Sequence, residues 1–238
     1  MGLGRVLNMS ARSLATYQRA LAATSNNIAN ANNPHFTRQR VQLTPEIGDK
    51  YSGYGVRFAG IQRVRDSLTD SQIRTFNQTQ SDAEKRTALL SQVEIILAEP
   101  TAAGLSNVMN NFFNSWNELS VTPNSAPLRL QVLSSASNLS NKVESLWSGL
   151  NEVRTSLFHE TNNKLRQLNS FVDEIRTLNQ KIFETGTIGI DPSNLKDRRD
   201  EVVEELSKLA NINLSEDDQG SYNISIGGVF ATDRYYAH

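Results

Sequence analysis

The 238-residue sequence contains no cysteine. That excludes a disulfide framework and any thiolate metal site. Its three histidines, His35, His159 and His238, lie far apart, and none is paired with a carboxylate at ligand spacing. HExxH, Walker, GxSxG and GxGxxG patterns are all missing. The acidic "SEDDQGS" lacks the alternating ligands and closing glutamate of a calcium loop, and it reads as a solvated turn. Long apolar runs are missing as well. The first thirty residues never give seven consecutive apolar positions, and Arg5, Arg12 and Arg19 interrupt them at seven-residue intervals. Neither an ordinary secretory signal nor membrane insertion is expected from such a start. No catalytic, cofactor-binding or metal-binding residue is therefore assigned, and no enzymatic activity is expected.

Hydrophobic residues make up only 38% of the chain, while Asn, Gln, Ser and Thr are plentiful. This mixture suits long helices with narrow apolar seams, much of whose surface stays wet. The net charge of −1 hides an asymmetry. Residues 1–65 hold nine basic side chains against Glu46 and Asp49, and the rest of the chain is correspondingly acidic. A basic end and an acidic remainder favour contact between copies. The basic residues are spread over sixty-five positions with no nucleic-acid fold signature, so no nucleic-acid partner is expected.

Leu7, Leu14, Leu21 and Ile28 recur every seven residues, with Leu3, Tyr17 and Ala31 on the adjacent row. The spacing predicts an amphipathic helix over residues 3–31, with a stripe too thin to be stable without a partner. Its end, "SNNIANANNPHFTRQR", carries five asparagines and then Pro34, which forbids a continued helix. "FTRQRVQL" and "YSGYGVRFAGIQRV" read as short strands joined by the turn-prone "PEIGDK".

Helical spacing resumes near Asp66 with Ile73, Phe76, Ala83, Leu90, Val93 and Leu97, ending by Pro100. A shorter helix follows, with Leu105, Val108, Met109, Phe112, Phe113, Trp116 and Leu119 in contact positions. Trp116 and Trp147 are expected in the core beside the seams. The longest pattern, over residues 132–182, is a heptad seam with one stutter at Thr161 and Lys164. "DPSNLKDRRDE" opens a last short helix, with Asp197, Asp200 and Glu201 at the positive end of its dipole. In "NINLSEDDQGSYNISIGG", Ile212 and Leu214 are expected to face Tyr222, Ile224 and Ile226 in a hairpin. No later element is expected to cover its apolar face, so a chain cut short of a longer β domain is expected.

The expected fold is mainly α, a coiled-coil-like bundle with a small β-rich region and the start of a β domain. The expected segments are a helix at 1–33, a β-rich connection at 34–65, long helices at 66–210 and a β start at 211–238.

"LAATSNNIANANNPHFTRQRV" resembles the N-terminal signature of the axial proteins of the bacterial flagellum, the rod, hook and hook-associated family. The core of the match is Leu21, then Ser25-Asn26-Asn27-Ile28-Ala29-Asn30, then Asn32-Asn33-Pro34. The family usually has Gly-Tyr or Gly-Phe after the proline, where this chain has His35-Phe36. "GVRFAGIQRVRDSLTDSQIR" and "NLKDRRDEVVEEL" resemble two further motifs of the hook-associated branch, in the right order.

The resemblance implies a secreted structural subunit of the extracellular flagellum, exported by the flagellar type III apparatus with a cytoplasmic chaperone. It implies contacts with further copies in a ring, with hook protein below, and with a second junction protein and the filament side above. On that reading the subunit-contact residues are Leu7, Leu14, Tyr17, Leu21 and Ile28 for burial. Asn26, Asn27, Asn30, Asn33, Arg38 and Arg40 would set register. Family members also end in a C-terminal helix that pairs with the first, and this sequence shows none. A distal rod or hook-type subunit and a non-flagellar coiled-coil scaffold are the alternatives.

Overall fold

A computed structural model describes residues 3–46, 55–97, 104–233 and 235–236. Among them the chain runs α1 (Leu3–Ala29), β1 (Gln39–Pro45), β2 (Val56–Arg63), α2 (Ser67–Leu97), α3 (Leu105–Val121), α4 (Ala126–Thr187) and α5 (Ser193–Leu209). Three strands follow, β3 (Ile212–Glu216), β4 (Tyr222–Ile226) and β5 (Val229–Thr232). Most of the "PEIGDK" turn, the opening "YSGY" of the second strand, Pro100 and His238 lie outside the described residues.

α1 closes in turns that its asparagines supply, with the Ala31 amide donating to the Ile28 carbonyl and the Asn33 amide to that of Asn30. β1 and β2 then pair antiparallel. Their register slips between Gln42 and Leu43, where β2 carries one residue more than its partner. Such a bulge twists the ladder and re-aims side chains, and Leu43 ends 41% exposed. α2 begins at an Asp66 cap, whose carboxylate accepts from the Leu68 amide at 2.9 Å and the Thr69 hydroxyl at 3.0 Å. The Thr69 hydroxyl and the Leu68 amide hold that carboxyl below its ordinary pKa.

Two compact units divide the chain, one of residues 1–78 with 167–238 and one of residues 79–166. In the first, the core is built where helix meets sheet. Val172, Ile175 and Leu178 of α4, Val202, Val203 and Leu206 of α5, and Ile212, Ile224 and Ala231 of the β3-β4-β5 sheet are all buried together. The β3–β4 register pairs Ile212 with Ile226 and Leu214 with Ile224, as the alternation predicts. The expectation of an uncovered hairpin is corrected here: α4 and α5 cover its apolar face, and β5, unread in the sequence, adds a third strand. Both helices precede the hairpin in the chain.

In the second unit the seams are half-used. Val132 and Leu146 of α4 are buried, while Val143 and Leu150 on the same heptad rows stay exposed. Gly149 lets α2 come close, since a Cβ there would meet Ile96 Cγ2 at 3.1 Å. Lys85 of α2 pairs with Glu160 of α4. Ile73, Phe76 and Leu90 of α2 are exposed, and none of that helix's described side chains is fully buried.

The two tryptophans are a second correction. Trp116 is 55% and Trp147 72% exposed. Trp147 follows the buried Leu146, about 100° around the helix, and so leaves the seam. On α3 the inner row is Leu105, Val108, Phe112 and Leu119, all half-buried, while Met109, Phe113 and Trp116 lie on the open flank.

Candidate assembly interface

α1 has two distinct faces. Met9, Ser13, Thr16, Ala20, Ala23 and Asn27, spaced four and three apart, are its half-buried or buried residues facing the β1–β2 hairpin. Apart from Met9 they are small or polar, which brings the helix close to the strands. Thr16 Oγ1 donates to the Val56 carbonyl at 3.4 Å. Gly55, at φ +90, lies so near that a Cβ would come within 2.9 Å of Ser13 Oγ. Arg19 stacks its guanidinium 5.0 Å from the Phe58 ring centroid.

Residues two positions away lie about 200° around the helix. Leu7, Leu14 and Leu21 accordingly stand on the far side and Tyr17 and Ile28 on the flank beside it, each more than half exposed, with Leu21 at 68% and Ile28 at 71%. The sequence-read stripe is thus carried by α1 and unburied. Scattered exposed leucines are ordinary on a protein surface; four apolar residues in heptad register, with Tyr17 on the adjacent row, form a patch.

The amide and arginine residues divide differently. Asn27 faces inward: its Nδ2 donates to the Gln39 carbonyl and its Oδ1 accepts from the Gln39 amide, both at 2.8 Å. Asn30 Nδ2 donates to the Asn26 carbonyl at 3.0 Å and to Asn26 Oδ1 at 2.9 Å. Asn33 Oδ1 accepts from the His35 amide at 3.1 Å. A carboxamide offers a donor and an acceptor together, so it can satisfy turn and strand backbone within one chain. Arg38 and Arg40 point to solvent.

A buried ionic cluster joins this region to α5. Arg63, the last residue of β2, donates through Nε and Nη2 to Asp197 Oδ1 at 3.0 and 2.6 Å, and through Nη2 to Asp200 Oδ2 at 2.5 Å. Thr37 Oγ1 accepts from the same Nη2 at 3.0 Å. Arg65 also reaches Asp200 Oδ2, and its Nε donates to Asp70 at 2.7 Å. Burial pulls the Arg65 guanidinium down, but the Asp70 hydrogen bond and the Asp200 charge outweigh it and leave its pKa raised.

Behind Asp200, the Tyr222 hydroxyl donates to Asp200 Oδ1 at 2.7 Å, and Arg199 lies 3.5 Å from the Tyr222 ring centroid. Sequence reading placed Asp197 and Asp200 at a helix dipole and assigned them no partner. Their partners sit 134 and 137 residues away.

Burial pushes the Tyr222 hydroxyl up to about 12, and the Asp200 charge adds to it against the opposing Arg199. A phenol raised above its ordinary 10.0 favours the protonated fold. Its contribution is complete below pH 10.0 and is lost as pH rises through about 12. The urea midpoint is expected to fall over that window, and Tyr222→Phe should flatten the fall; an unchanged slope in the variant would contradict this assignment.

Among the described residues no cluster of three or more acidic or histidine side chains is placed to hold a metal, and no helix is long and apolar enough to cross a membrane.

Residues 90–231 match the model of the flagellar hook-associated protein FlgK helical domain. The chain is 31% identical over 237 residues to flagellar hook-associated protein 1 of Bacillus subtilis (strain 168), covering 95% of this chain and 46% of that protein. It is 28% identical over 230 residues to the protein of that name from Salmonella typhimurium, covering 94% of this chain and 41% of the relative. The chain thus spans less than half the length of these relatives. Among solved structures, the flagellar hook junction protein FlgK from Burkholderia pseudomallei shares the fold at a TM-score of 0.53 and 22% identity, over 68% of this chain and 28% of that one. The helical match spans more than half of the sequence, and the relatives extend it across the N-terminal signature: the chain belongs to the flagellar hook-associated protein FlgK family.

Proposed function

We propose that this chain is a structural subunit of the flagellar hook–filament junction, working by assembly and not by catalysis. The observation that carries the reading is the exposed stripe of Leu7, Leu14, Tyr17, Leu21 and Ile28 along α1. Burying one such side chain contributes about 1.5–3 kcal/mol, so five of them supply a strong drive to associate. The exposed Arg38 and Arg40, with Asn26 and Asn33, would set register against neighbouring copies. Asn27 and Asn30 would hold the α1 end in shape for that contact.

The subunit would leave the cell through the flagellar type III apparatus, escorted by a cytoplasmic chaperone. It would form a ring of its own copies, with hook protein below and the second junction protein and filament side above.

The test is a Leu14→Asp substitution introduced at the gene. Leu14 is 61% exposed, so the fold and its circular dichroism should be retained. A charge in the buried seam should abolish incorporation into flagella and release filament protein into the medium. Normal motility with attached filaments would overturn the role of the stripe.

A further inference from the structure

The two β elements of the first unit carry opposite charge. β1 and β2 hold Arg40, Arg57 and Arg63 and no acidic residue, with Arg38 just before them. From Ile212 to Thr232 there is no lysine or arginine, and Glu216, Asp217 and Asp218 stand together at the β3–β4 turn. Arg12, Arg63 and Arg65 find carboxylates within the chain. Arg38, Arg40 and Arg57 are exposed, and among the described residues no carboxylate meets them.

The hairpin offers its arginines on an open face. Successive side chains along a strand point to opposite sides. Thr37 and Gln39 are buried and Val41 half-buried, so Arg38, Arg40 and Gln42 take the other side. The Val64 amide donates to the Arg38 carbonyl at 2.9 Å and carries the pairing up to that residue. Gln62, the ladder partner of Arg40, accepts from Gln42 Nε2 at 3.0 Å and steadies the row. The acidic turn is held as firmly. Asp217 Oδ1 accepts from the Gln219 and Ser221 amides at 2.9 and 2.8 Å, and the Gly220 carbonyl accepts from the buried Arg199 at 2.8 Å. Glu216 and Asp218 stand exposed on either side of Asp217.

We infer that the open face of the β1–β2 hairpin docks on the β3–β4 turn of a second copy, with Arg38 and Arg40 meeting Glu216 and Asp218. The inference rests on the assembly reading above and names what the two arginines meet there. Side chains two residues apart on one strand face are about 6.6 Å apart, and the two carboxylates are also two residues apart, so both contacts form together. A guanidinium fork matches a carboxylate in two parallel hydrogen bonds, which fixes direction as well as charge. Exposed ion pairs add little affinity singly, so their part is to select and orient the contact that the leucine stripe strengthens. One copy uses its hairpin and the next its turn. Such a head-to-tail contact repeats from copy to copy, closing into a ring or running on as a helix. The hairpin edge takes no part in it.

Sedimentation of the free chain over a concentration series tests the contact. Charge screening shortens from about 10 Å at 0.1 M salt to about 3 Å at 1 M, and self-association should weaken about tenfold over that range. Arg38→Glu with Arg40→Glu, and separately Glu216→Lys with Asp218→Lys, should each weaken it as much at low salt, with helical dichroism unchanged. Mixed together, the two variants should recover association, since each supplies the charge that the other has lost. Glu216 also draws the buried Arg199 toward its charged form, so Asp218→Lys alone serves as the turn variant if the double change lowers the dichroism. A chain that stays monomeric at low salt would overturn the proposal, as would association indifferent to both variants. So would a mixture no better than its components. Leu14→Asp reports on the stripe, whereas recovery in the mixture reports on the charged contact alone.

Discussion

Arg199→Ala is expected to lower the stability of the first unit by about 3 kcal/mol, from the loss of charged hydrogen bonds and the cavity left behind. Arg199 is 1% exposed. Its Nη1 donates to Asn179 Oδ1 at 2.7 Å and to the Gly220 carbonyl at 2.8 Å, joining α4, α5 and the β3–β4 turn. Asn179 completes the join, since its Oδ1 also accepts from the Tyr222 amide and its Nδ2 donates to the Tyr222 and Asp233 carbonyls.

The cation is not free of cost. Burial lowers its pKa, and Tyr222, Asp200 and Glu216 draw it back up. The relief of that desolvation is why the expected loss is not larger. Arg199→Met separates the two effects, because it keeps the volume and removes the charge; it should cost about half as much. Urea unfolding, read by hydrogen exchange of the α5 amides, is the measurement. A loss below about 1 kcal/mol for the alanine variant would remove Arg199 from its place as the tie between helices and sheet.

Leu206→Ala should cost a similar amount, about 3 kcal/mol. Leu206 is 0% exposed and sits on α5 amid Val172, Ile175, Val202, Ile212 and Ile224, where neighbours from two layers cannot all collapse into the gap. Val143→Ala, at a seam position 52% exposed, should cost less than about 0.5 kcal/mol. The contrast decides where the stability of the chain is held. If both changes cost the same, the heptad seam, and not the helix–sheet junction, carries the load.

That contrast also marks what the sequence made legible. Period-3.5 spacing found α1, α2, α3 and α4, because periodicity depends on one helix alone. It also found the β3–β4 register, set by alternation about a short turn. It over-read the burial of the seams, since a heptad row shows which face is apolar and not how much of it meets a partner. Trp116 and Trp147 went wrong for that reason. The covering of the hairpin was missed because its cover comes from earlier in the chain, at α4 and α5.

The candidate stripe was fully legible, being local. The ionic cluster was not: Arg63 and Asp197 are 134 residues apart, and pattern within a window carries no information on such a pairing. Helical spacing also suggested one long-helix segment at 66–210, whereas packing groups the α4 end and α5 with the N-terminal elements.

The Asn27–Gln39 pair has a consequence for solubility. Gln39 turns its amide and carbonyl away from Arg63, its ladder partner, and toward α1. Those two groups would otherwise form an open rung at the edge of a two-stranded sheet, a template for any passing extended segment. A single carboxamide on the helix fills that rung as a neighbouring strand would. The start of β1 is thereby closed to foreign strands, and association is directed away from the hairpin edge, toward the leucine face of the same helix.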